Sequence, residues 1–83
     1  METHTSCLPA AAFVVCRGHN FPRIQRIGET GRFEMFFDDP NGEVKKLFAE
    51  YFHGATVPRV RDFYSALVDL RFAINRALDG GAR

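Results

Sequence analysis

Apolar positions change their spacing several times along this chain of 83 residues, and each change predicts an element. Residues 1–7 are polar and aperiodic and read as a loose tail. Residues 8–17 carry two competing signals. Phe13-Val14-Val15 has strand propensity, whereas Pro9 before three alanines, with Gly18 placed for a left-handed cap, marks a helix. The balance favours a short helix. Next, Arg23-Ile24-Gln25-Arg26-Ile27 and Arg32-Phe33-Glu34-Met35-Phe36-Phe37-Asp38 flank Gly28-Glu29-Thr30-Gly31, which predicts a hairpin. Period two puts Phe33, Met35 and Phe37 on one face and Arg32, Glu34 and Phe36 on the other. Phe36 breaks the alternation and suggests that the second face is also partly covered.

Helical spacing follows. Val44, Leu47, Phe48, Tyr51 and Phe52 fall at i, i+3, i+4, i+7 and i+8. Asp38 or Asp39 caps that helix, Pro40 takes its first position and Gly54 ends it. A second helix opens at Pro58, buries Phe63, Leu67, Leu70, Ile74 and Leu78, and stops at Asp79-Gly80-Gly81. The same helix carries a further apolar row, Tyr64, Val68 and Phe72. Either the first segment or the hairpin packs there, or the row is an interface between chains. The fold expected is α+β: a short N-terminal helix, a two-stranded antiparallel hairpin and two C-terminal helices (αββαα). It forms one domain over residues 8–79, with 80–83 as a flexible end.

Composition narrows the function classes. The longest apolar run, residues 10–16, is far shorter than the ~20 residues that span a bilayer, so no membrane partner is expected. Met1-Glu2-Thr3-His4 lacks the positive start of an export signal, and cytoplasm is the default location. Eleven Lys and Arg stand against ten Asp and Glu, yet the charges are segregated. Residues 17–32 hold four Arg against Glu29, a net +3. Residues 33–50 hold two Lys against five carboxylates, a net −3.

That polarity supplies the first functional expectation, a non-enzymatic module that contacts the nucleic-acid backbone. Arg17, His19, Arg23, Arg26 and Arg32 would neutralise phosphates, with Phe21 as a stacking group. Arg59 and Arg61 would join them at a helix start, where the macrodipole disfavours cations unless an anion binds. The alternative is that these cations pair with carboxylates of the same chain. A second expectation is a protein partner or a homodimer seated on Tyr64, Val68 and Phe72. A third, weaker one is a metal-dependent hydrolase at Asp38-Asp39, where helix capping is the preferred explanation of the carboxylates.

No cofactor fingerprint or nucleophile elbow occurs in the sequence. His4-x-x-Cys7 and Cys16-x-x-His19 have the donor types of a zinc site. A helix over residues 9–17 would hold the two cysteines about 13 Å apart along its axis, which one zinc cannot bridge. Helix and zinc therefore exclude each other, and neither metal nor cofactor is assigned.

Several stretches together resemble a known type of domain. Phe13-Val14-Val15-Cys16-Arg17-Gly18-His19, Arg26-Ile27-Gly28, Phe33-Glu34-Met35-Phe36-Phe37-Asp38-Asp39, Tyr51-Phe52-His53-Gly54 and Val57-Pro58 are similar to a small uncharacterised domain of unknown function that recurs in bacterial and phage genomes. The similarity covers residues 8–78. It implies a phage or mobile-element setting, in which small accessory proteins bind nucleic acid or a partner protein, and it implies no activity.

Overall fold

Pro9 and Gly18 bracket the first helix. In the computed structural model, which describes residues 2–29, 31–54, 57 and 59–80, helix α1 runs Leu8–Cys16 with the proline in its first turn. At its end the Gly18 amide donates to the Val15 carbonyl and the His19 amide to Val14, at 3.0 and 3.4 Å. This paired closure needs a left-handed residue, and Gly18 sits at φ +95°. The competing strand propensity of Phe13-Val14-Val15 loses because α1 is apolar on every side and buried as a helix. Ala10, Ala11, Ala12, Phe13 and Val14 are all fully covered.

Around α1 stand strand β1 (Glu2–Thr5), strands β2 (Arg23–Ile27) and β3 (Arg32–Asp38), and helices α2 (Glu43–Phe52) and α3 (Val60–Gly80). Helix α1 touches α2, α3 and β1, which makes it the hub of the core. The α+β class is as expected, but the sheet has three strands, not two. Its order is β1-β3-β2 and both pairings are antiparallel. The segment read as a loose tail forms edge strand β1 on the far side of β3. It has no apolar residue to give a period; polar pairs hold it. The Thr3 hydroxyl donates to the Asp39 carboxylate at 2.7 Å, and His4 Nδ1 meets Glu34 at 2.8 Å.

The hairpin alternation is as read. Met35 and Phe37 are buried and Phe33 packs against the core, while Phe36 lies on the opposite face. Phe36 is partly covered there, by neighbouring side chains of the sheet itself. The Arg23 guanidinium lies 4.8 Å from the centre of its ring and the His4 ring 5.3 Å away.

Helix α2 starts later than its sequence suggests. Pro40 precedes the helix, and Gly42, at φ +74°, stands at the cap position. Asp39 still performs the capping, from outside the helix. Its carboxylate accepts the Val44 and Lys45 amides at 3.0 and 3.1 Å. Val44, Leu47 and Phe48 enter the core, but Phe52, counted in the same stripe, is 63% exposed. Gly54 closes the helix through a 3.0 Å bond to the Tyr51 carbonyl. Helix α3 buries Leu70 and Ile74, with Phe63, Leu67 and Leu78 packed alongside. The roles read for Pro58, Gly81 and residues 81–83 lie outside the described residues, while Gly80 belongs to α3.

Candidate functional site

Apolar residues at every fourth position advance about 40° per step around a helix, so they make a slanted row. Helix α3 carries such a row on the side away from the core. Val60, Tyr64, Val68 and Phe72 are 77, 66, 47 and 65% exposed. Most exposed apolar side chains stand singly; these four are consecutive neighbours on one helix. Arg71 and Asn75 flank the row, and with Leu67 they line a shallow groove of about 310 Å³ beside Tyr64, Val68 and Phe72. The simpler expectation, that the first segment or the hairpin packs on this row, does not hold: α1 packs on the core side of α3, and among the described residues nothing covers the outer row. Val60 extends the row by one turn; its position four residues before Tyr64 was the available sequence signal.

The seven candidate nucleic-acid contacts are distributed otherwise. Arg17, at the end of α1, lies 3.9 Å from Glu50, and His19 lies 3.7 Å from Glu43. Arg23 reaches across β3 to Glu2 at 3.2 Å and also bonds Gln25. Register places Arg23 and Arg32 on the open face of the sheet with Phe36, whereas Arg26, opposite Phe33, is on the other. The hairpin arginines thus do not share a face. Arg59 sits at the α3 cap position, its carbonyl accepting the Phe63 amide at 3.0 Å, and Arg61 lies in the first turn beside Asp62. Arg26, Arg32, Arg59 and Arg61 are exposed and have no carboxylate within ion-pair reach among the described residues. Phe21 is exposed, as a stacking group would need to be.

The remaining candidates have structural partners. Cys7 and Cys16 flank opposite ends of α1 and both thiols are unpaired. His4 and His19 face Glu34 and Glu43. Among the described residues no group of three or more metal-ligating side chains converges. Burial raises the Cys16 thiol above its ordinary value, and its Sγ donates to the Phe13 carbonyl at 3.1 Å, so it stays protonated at neutral pH. Asp39 is buried with both oxygens engaged, and Asp38 is exposed. Sequence reasoning signalled that the face bearing Phe36 is partly covered but missed that Arg23 and His4 cover it, because the contact joins residues of three strands, one of them unforeseen.

No family model, curated protein or solved structure matches this chain. Function is therefore read from geometry. Among the described residues no helix is long and apolar enough to cross a membrane.

Proposed function

We propose that the chain is a non-enzymatic protein-interaction module whose working surface is the outer row of α3. One observation carries this reading: four consecutive apolar side chains, two of them aromatic, lie uncovered on the longest helix. Removing such side chains from water is worth roughly 1.5–3 kcal/mol each when burial is complete. Exposed contiguous apolar surface of this kind marks partner contact. The resemblance to a small domain of unknown function, which implies a phage or mobile-element setting, fits a binding role.

Photo-crosslinking in cells tests the reading whatever the partner is. With p-benzoylphenylalanine in place of Tyr64, protein adducts are expected, and they should disappear when Val68→Asp is added. The same probe in place of Gln25, exposed on β2, should give none. Equal yields from the two positions, or none from Tyr64, would refute the proposal.

A second reading, contact with a nucleic-acid backbone, rests on Arg26, Arg32, Arg59 and Arg61, exposed and without an ion-pair partner among the described residues. Phosphate neutralisation would give a log–log salt slope near −0.9 per contact for duplex DNA. With four cations on more than one face, weak binding that vanishes by physiological salt is expected. Undetectable binding of duplex and single strands at ~50 mM salt would end this reading.

A further inference from the structure

We infer that the occupant of the α3 row is a second copy of this chain, lying antiparallel to the first with a twofold axis at Val68. The inference rests on the reading of α3 as an interaction surface and names its partner.

Tyr64, Val68 and Phe72 are self-complementary under that operation, while Val60 falls at the edge, opposite the partner's Arg76. Tyr64 precedes Val68 by one step of the row and Phe72 follows it by one step, so the order is aromatic, small, aromatic. A twofold axis at Val68 sets each Tyr64 against the partner's Phe72 and joins the two small valines at the point of closest approach. Isologous contacts of this sort close on themselves, and cyclic dimers are the commonest soluble assembly.

Charge selects the direction. Successive residues turn by about 100°, so between residues 60 and 75 the arc that holds the row also holds Arg71, Asn75 and Arg61, with no carboxylate. In an in-register parallel pair Arg61 would oppose Arg61 and Arg71 would oppose Arg71. The antiparallel pair removes both repulsions. Arg61 then lies opposite the partner's Asn75. Arg71 lies next to the partner's Tyr64, where a guanidinium can stack on the ring.

Area agrees. The four apolar side chains leave roughly 450 Å² uncovered, taking aromatic side chains as ~150–250 Å² each. Rim residues Arg61, Ser65, Arg71 and Asn75 bring the patch towards the ~800 Å² per partner of a standard interface.

Light scattering and rim cross-linking test the inference together. The background carries Cys7→Ser and Cys16→Ala, with its fold checked by circular dichroism. Arg61→Cys or Asn75→Cys is then introduced, and a short bismaleimide is added. Antiparallel pairing separates Arg61 from its own copy by ~21 Å along the axis but sets it beside the partner's Asn75. A mixture of the two variants should therefore cross-link at least tenfold more than either alone, at a mass twice 9.4 kDa. Val68→Asp should return the chain to a monomer.

A dimer in which Arg61→Cys alone cross-links efficiently would be parallel and would overturn the inference, leaving the interaction surface intact. A monomer at every concentration up to ~0.5 mM would overturn it too. Adducts at Tyr64 with other proteins would then keep the broader proposal, and their absence would remove both.

Discussion

Phe13→Ala is expected to destabilise the chain by about 3–5 kcal/mol, the usual cost of emptying a buried aromatic site. A domain of this length has a total stability of roughly 4–12 kcal/mol, so the variant should be largely unfolded by mild urea. The reason is position. Phe13 lies on the helix that meets α2, α3 and β1, its ring 5.7 Å from that of Tyr51 and beneath the Arg17 guanidinium at 5.5 Å. No neighbour can collapse into the space without moving another element. Phe36→Ala is the internal control, since that ring lies on the open sheet face under the Arg23 and His4 side chains. It should cost about 1 kcal/mol, in line with a half-buried group. Urea midpoints at constant m-value measure both. Similar losses for the two variants would refute the placement of α1 at the centre.

Asp39→Ala should cost about 2–3 kcal/mol at pH 7, because one carboxylate satisfies three donors. The Val44 and Lys45 amides lose their acceptor at the start of α2, and the Thr3 hydroxyl loses the bond that ties β1 to the turn. Burial opposes the charge on Asp39, but the hydrogen bonds from Thr3, Val44 and Lys45 outweigh it and hold the carboxyl below the ordinary carboxylate range. A folded value below the unfolded ~3.9 means that the stabilisation is complete above that pH. It is lost as pH falls through the folded value, when the protonated group ceases to accept both amides. Unfolding free energies between pH 7 and pH 2 should thus show an acid-side decline that is shallower in Asp39→Asn, which keeps one acceptor oxygen and has no proton to take up. An identical decline in wild type and Asp39→Asn would show that other carboxylates dominate it.

Local rules made most elements legible. Period two placed Phe33, Met35 and Phe37 inside, helical spacing found α2 and α3, and Gly18 and Gly54 marked helix ends because only a left-handed residue closes them well. Strand β1 was illegible for a physical reason. Glu2-Thr3-His4-Thr5 has nothing to bury, and its stability comes from side chains 21, 30 and 36 residues away. The start of α2 moved because Asp39 caps across a turn built on Gly42, so an acid followed by proline did not mark the first helical residue.

For the site, the surplus apolar face of α3 was readable as surplus, but which side α1 would cover depends on packing in three dimensions. The segregated charge was also readable, yet folding brings the acidic stretch against the basic one. Arg17 meets Glu50 and His19 meets Glu43, while the pleat of β2 sends Arg23 and Arg26 to opposite faces. Linear charge therefore overstated the basic surface.

The central place of α1 also has a consequence for the order in which the protein is made. Its apolar residues are translated more than fifty residues before Leu70 and Ile74, which complete the core. At roughly 5–20 residues per second the ribosome takes on the order of 3–10 s to supply them. For that interval a greasy helix has no native surface to rest against. The nascent chain is therefore most vulnerable to mispairing, and most in need of a chaperone, before α3 is finished.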